Sequence, residues 1–199
     1  MKCKYITIER EYGSGGTKIA RRLAEECGIA CYGEEILGEV SKQQNIPVEE
    51  IEKYEESVTG SILYSIFMMS KIQSGDTDML TKENYIHVAE QEAIRRLAEN
   101  GPAVFLGHCA SEALKDHKGV VKIFIHCSDN EAKNNRIMND YGISQTQVET
   151  IKRRFDKKRA NYYYVNTAVK WDDFTKYDIV LDSAVLGIDG CVAVLKSLL

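Results

Sequence analysis

The stretch Tyr5-Ile6-Thr7-Ile8-Glu9-Arg10-Glu11-Tyr12-Gly13-Ser14-Gly15-Gly16-Thr17 leaves this chain few folds to choose from. It opens as a β-branched run suited to a strand and passes through glycines that permit a tight turn. It leaves with Ile19, Ala20, Leu23 and Ala24 spaced as one face of a helix from Thr17 to about Cys27. Strand, glycine-rich turn and helix, in that order, make a cradle where N–H groups and a helix N-terminus face an anion. The phosphate-loop pattern G-x-x-x-x-G-K-[ST] is met in part. Gly15 and Thr17 match it, but Arg10 stands at the first glycine and Gly16 at the lysine. The loop alone leaves two readings open: a phosphate cradle of altered chemistry, or a glycine turn that holds no ligand.

The rest of the chain alternates helices with short apolar strands. Helical spacing resumes over residues 34 to about 44, and Pro47 opens another helix with an acidic first turn. Thr59 to about Ile72 is an apolar stripe, too short to span a bilayer, that suits either the core or a contact between copies of the chain. Ser74 to Thr77 reads as a loop, and Lys82 to Glu99 as a helix stopped by Asn100-Gly101-Pro102. Ala103 to Leu106 predicts a buried strand ending in Gly107-His108, followed by a short helix to about Asp116. Val120 to His126 is the next strand, and a helix from Asp129 to Asn139 is broken by Gly142. Ser144 and Gln147 have the spacing of a capping box at the start of a long polar helix reaching at least Asn161. Asp178 to Asp182 is the last strand, and Ile188 to Leu199 the closing helix. This alternation predicts an α/β fold with a largely parallel sheet, whose ligands gather beyond the C-terminal strand ends.

Composition narrows the function. A chain of 199 residues with 44% hydrophobic content suits one domain with a sizeable core. A net charge of −4 gives no general attraction to nucleic acid or anionic lipid. No membrane segment and no stable nucleic-acid partner are expected, and the expected location is the cytoplasm. The six cysteines include no C-x-x-C pair and no zinc-ligand spacing, so they are expected to be reduced and mostly buried.

Three groups of residues could carry chemistry. If the loop binds phosphate, Gly13, Ser14, Gly15, Gly16 and Thr17 hold it, and the Thr17 hydroxyl is placed to ligate Mg²⁺. Arg10 is the candidate to replace the lysine, or else a surface residue at a strand end; Lys18 is a second, but one step into the helix it reads first as an ordinary solvated residue pointing away. Lys152-Arg153-Arg154-Phe155-Asp156-Lys157-Lys158-Arg159 is strongly basic and precedes three tyrosines. It reads as a mobile lid bearing arginines, as a solvated helix face, or as a nucleic-acid contact. His108, at a strand end, is either a structural histidine or a contact to a phosphate or base.

Ile6 to Gly16, Leu106-Gly107-His108, Asp156-Lys157-Lys158-Arg159-Ala160-Asn161-Tyr162-Tyr163, Trp171 and Tyr177 to Asp182 together resemble the cytidylate kinase-like family, in order and over nearly the whole chain. The resemblance implies a P-loop NTPase-like three-layer α/β fold with a parallel central sheet. It implies a core of residues 1–33, 98–139 and 166–199, a helical monophosphate-binding insertion over 34–97, and a helical lid over 140–165. The implied reaction is transfer of the ATP γ-phosphate, with Mg²⁺, to CMP, dCMP or a similar nucleotide. Gly13 to Thr17 with Lys18 would hold the donor. Arg10, Arg153 and Arg159 would act on the transferred group, with Asp156 orienting the lid arginines. Glu34, Gly107 and His108 would face the acceptor. The chain departs from the family at three places: no loop lysine, His108 where arginine is common, and Gly33 where aspartate is common. A loop without its lysine also fits a nucleotide-binding or regulatory protein with little turnover.

Overall fold

The computed structural model of the chain describes residues 3–51 and 82–199, with side chains from residue 86 onward in the second stretch. The apolar stripe at 59–72, the loop at 74–77 and much of the expected insertion lie outside the described residues. Five parallel strands form one sheet in the order β2-β3-β1-β4-β5. They are β1 (Tyr5–Arg10), β2 (Ala30–Tyr32), β3 (Ala103–Leu106), β4 (Val120–His126) and β5 (Ile179–Asp182). Among the described residues the helices include α1 (Gly16–Cys27), α2 (Glu34–Gln44), α3 (Lys82–Glu99), α4 (Ala110–Ala113), α5 (Asn130–Tyr141), α6 (Val148–Thr167) and α7 (Ser183–Lys196).

Side chains alternate across the strands, and each face finds its own cover. Ile6, Ile8, Val104, Leu106, Ile123 and Ile125 pack against Ile19 and Leu23 of α1 and Val192 and Leu195 of α7. Tyr5 and Phe105, on the opposite face, pack against Ile36 and Val40 of α2 and Ile94 of α3. The result is three layers, helix on sheet on helix. With β1 central, the edge beyond the strand ends collects Arg10, Gly107 and Asp182. A separate aromatic cluster, Phe124, Tyr163, Trp171 and Tyr177, packs Tyr163 of α6 against the end of the sheet.

Three boundaries differ from the sequence expectation, each for a local reason. The capping box does not form: the Gln147 and Val148 N–H groups close a turn on the Ser144 carbonyl. The Ser144 hydroxyl then donates to the Gln147 side chain at 2.9 Å, and the helix starts at Val148. α7 begins at Ser183 rather than Ile188, because Asp182 caps it by accepting from the Ala184 N–H. Gly187, with φ 66° and ψ 175°, is non-helical, so α7 is a short helical turn from Ser183 and then the expected helix from about Ile188, joined across a kink. α4 ends at Ala113, short of Asp116. All six cysteines are free, and three are buried. Among the described residues no helix is long and apolar enough to cross a membrane.

Candidate active site

The loop between β1 and α1 is pinned on every side. Gly13 and Gly15 sit at φ 77° and 82°, where a side chain is strained. Glu11 accepts from Lys133 Nζ at 2.7 Å and from the Cys127 N–H at 3.1 Å, fixing the loop to α5 and the end of β4. The Tyr12 N–H donates to Asp156 of α6 at 2.6 Å. The Tyr12 ring is stacked between Tyr141 and Phe155, with centroids 5.0 and 4.5 Å away. Arg136 donates through Nη1 to the Gly13 and Ser14 carbonyls, and the Ser183 hydroxyl donates to the Ser14 carbonyl at 2.6 Å. These contacts hold the loop's backbone in one conformation, with the Tyr12, Ser14 and Gly16 N–H groups bonded inside the protein.

Ser14 differs from its expected place. It is fully buried, and its hydroxyl donates to the Glu11 carbonyl at 2.8 Å while accepting from the Gly16 N–H. It braces the loop from inside. Gly13, Gly15, Gly16 and Thr17 line a cavity of about 190 Å³ over the loop, and Lys18 stands at its rim, paired with Asp140 at 2.7 Å.

Arg10 explains the two glycines around it. A Cβ on Gly16 would lie 2.6 Å from Arg10 Cβ, and a Cβ on Gly107 would lie 2.6 Å from Arg10 Nη1. The Arg10 side chain therefore passes close to both glycines, its stem against Gly16 and the mobile end of its guanidinium against Gly107. A lysine at position 16 would need the same space. Arg10 lines the loop cavity and also a larger one, about 380 Å³, bordered by Glu9, Glu34, Gly107, His108 and Tyr162.

Arg159 is the second residue common to both cavities. Its Nη1 donates to the Arg10 carbonyl at 3.0 Å, lies 3.8 Å from Asp156 Oδ1, and its guanidinium sits over the Tyr12 ring. Burial pulls Arg159 below its ordinary value, while Asp156 and Glu9 favour the cation. Asp156, pushed up by burial, is held the other way by the Tyr12 N–H and Arg159. Its shortest contact is thus to the loop backbone rather than to a lid arginine. Arg153 lies elsewhere: it is exposed and borders neither cavity. Positions 152, 156 and 159 share a helix face, which turns 153 away. Lys152, on the shared face, is buried in contacts with Asn134 and Glu149.

The larger cavity has a mixed wall. Glu9 is buried and accepts from Trp171 Nε1 at 3.1 Å; burial raises its carboxyl, against the pull of Arg10, Trp171 and Arg159. His108 follows Gly107 with φ 54° and borders the same cavity. Arg136, Glu9 and the α3 residues behind His108 were not singled out from the sequence. A charged residue on an otherwise apolar helix face, as at Glu90 between Ile86 and Ile94, is the signal that was there to read.

The loop fits an ATP–Mg²⁺ group on two observations. Its glycines leave an open cradle, and Thr17 brings a hydroxyl to it. Among the described residues no cluster of three or more His, Cys, Asp or Glu could hold a metal. A bound Mg²⁺ would therefore be held by Thr17 and by oxygens of the nucleotide itself.

Comparison with known proteins bears on this arrangement. The sequence model of the cytidylate kinase-like family matches residues 5–185. A crystal structure of an uncharacterized protein from Eubacterium ventriosum ATCC 27560 is 26% identical, with 97% of this chain and 96% of that one covered and a TM-score of 0.71. The shikimate kinase of Bacteroides thetaiotaomicron superposes over 98% of this chain and 97% of its own at 12% identity, with a TM-score of 0.52, a likeness of fold. No curated protein matches the chain by sequence.

Proposed function

The chain belongs to the cytidylate kinase-like family, with a P-loop NTPase-like fold, and we propose that it transfers the γ-phosphoryl group of ATP to a nucleoside monophosphate, CMP or dCMP, in the cytoplasm. The observation that carries this reading is Arg10, threaded between Gly16 and Gly107 and bordering both cavities. A kinase of this kind needs a donor site, an acceptor site, and fixed cations where the phosphoryl group crosses between them. The loop cavity is the donor site. The larger cavity, with His108, Lys158 and Glu34 on its wall, is the acceptor site. Arg10 and Arg159 stand at the crossing. In this reading residues 34–97 carry the acceptor side, and 140–165 close over the loop.

Phosphoryl transfer leaves a protein little covalent work; positioning and neutralising charge on the moving oxygens supply most of the rate. Mg²⁺ bound with ATP would neutralise the β- and γ-oxygens. The cradle's N–H groups hold the donor, and Arg10 supplies the positive charge that a loop lysine would otherwise bring. The bidentate fork of arginine can meet oxygens of both nucleotides, which a lysine at position 16 could do only as a point charge.

The test mixes the protein with ATP, Mg²⁺ and a panel of nucleoside monophosphates and follows ADP. Turnover is expected, fastest with CMP or dCMP. ATP binding without turnover on any acceptor would overturn the kinase reading and leave a nucleotide-binding regulator. Arg10→Ala should lower kcat/KM by roughly 10²- to 10³-fold, the loss typical of one transition-state donor; an unchanged rate would remove Arg10 from the mechanism.

A further inference from the structure

Behind the acceptor cavity lies a buried carboxylate that the transfer step does not use. Glu90, in the middle of α3, has no exposed surface. It falls on the same helix face as Ile86, Ala93 and Ile94, a position the helix otherwise gives to apolar side chains. A carboxylate there is costly for folding, and an apolar residue would serve the core better. Its contacts point instead to the cavity. Oε1 lies 3.4 Å from His108 Nδ1, and Oε2 accepts a short hydrogen bond from the Tyr162 hydroxyl. His87 Nδ1 stands 3.2 Å from the same hydroxyl. His108 and Tyr162 both border the acceptor cavity, one from the end of β3 and one from α6. Gln91, the next residue of α3, also donates to the His108 carbonyl at 3.3 Å.

We infer that Glu90 is a positioning residue of the acceptor site, holding His108 and Tyr162 on the cavity wall so that they meet an anionic acceptor. The donor order fixes the chemistry. The Tyr162 hydroxyl gives its hydrogen to Glu90 and accepts from His87, so His87 carries its hydrogen on Nδ1. His108 Nδ1, 3.4 Å from Glu90 Oε1, pairs with it as a donor, which sets the tautomer and the ring's orientation. The same carboxylate ties three separate pieces of the wall, α3, the β3 end and α6, through two hydrogen bonds.

This inference rests on the acceptor assignment of the larger cavity, and the experiment separates the two. Glu90→Gln keeps the shape and can still accept from Tyr162, but loses the charge that pairs with His108. CMP and ATP binding are measured by calorimetry for the wild type and the variant, alongside steady-state kinetics. The expected result is CMP affinity weakened and acceptor KM raised by about tenfold, with ATP affinity unchanged. Glu90→Asp, which restores the charge on a shorter arm, should recover part of the loss. Equal CMP affinity in wild type and Glu90→Gln, or equal weakening of CMP and ATP, overturns the role of Glu90 and leaves the kinase reading standing. A wild type that binds CMP but transfers nothing overturns the kinase reading, and the binding comparison still decides Glu90. A wild type that binds no nucleoside monophosphate overturns both.

Discussion

At the scale of single residues, the molecule relies on polar groups held where water does not reach them. Glu9, Glu90, Lys133 and Lys152 are buried, each with a named partner. Their positions make stability depend on pH in a direction that can be worked out. Burial, reinforced by His108 and Arg95, lowers His87 from its ordinary 6.5 to about 4. Between those values the unfolded chain binds the proton and the folded chain does not, so stability falls as pH drops below 6.5 and levels off below 4. From pH 7 to pH 5 this one group should remove on the order of 2 kcal/mol. Urea denaturation at the two pH values checks it: His87→Gln should shrink the acid loss by about that amount, and an identical loss in both proteins would exclude His87 as the cause. None of this was legible in the sequence, where His87 is one of several polar residues on a charged helix. Its environment exists only once α6 brings Tyr162 against it.

At the scale of elements, α6 works as a brace for the loop. One turn of it supplies Phe155 to the Tyr12 stack, Asp156 to the Tyr12 N–H and Arg159 to the Arg10 carbonyl. The loop's conformation is therefore shared property of β1, α1 and α6. Asp156→Ala should leave a partly buried N–H without its acceptor and Arg159 without its nearest carboxylate, destabilising the chain by roughly 1–3 kcal/mol in chemical denaturation. A change under about 0.5 kcal/mol would mean that the helix and the loop are not tied through this contact. The sequence showed that this segment is basic and helical, because charge and spacing are local properties. It did not show which charges turn inward. Arg153 and Arg159 look alike in the sequence, and the helical repeat puts one in solvent and the other at the centre of the site.

At the scale of the whole molecule, the parallel sheet was readable because strands buried on both faces must be continuously apolar, as Ala103 to Leu106 and Ile123 to Ile125 are. The position of the site followed from that sheet, since β1 at its centre delivers the glycine loop to the edge where the other strands end. The path of Arg10 was not readable: it depends on Gly16 and Gly107, far apart in the chain, both yielding space to one side chain. A lysine at position 16 would bring its Cβ to 2.6 Å from that of Arg10, so the two side chains compete for one space.

The contact between Trp171 and Glu9 gives the molecule a property of practical use. The chain contains a single tryptophan, and its indole N–H is bonded to Glu9 on the wall of the larger cavity, inside the aromatic cluster that anchors α6. Indole emission responds to nearby charge and hydrogen bonding, so under the proposed kinase reading the protein carries its own optical gauge of acceptor occupancy. Titration with CMP should change the intrinsic fluorescence along one saturable curve, and ATP, seated over the loop, should change it less. Emission that stays constant while calorimetry reports saturation would place the acceptor away from Glu9. Filling of the two cavities could then be timed separately in unlabelled protein.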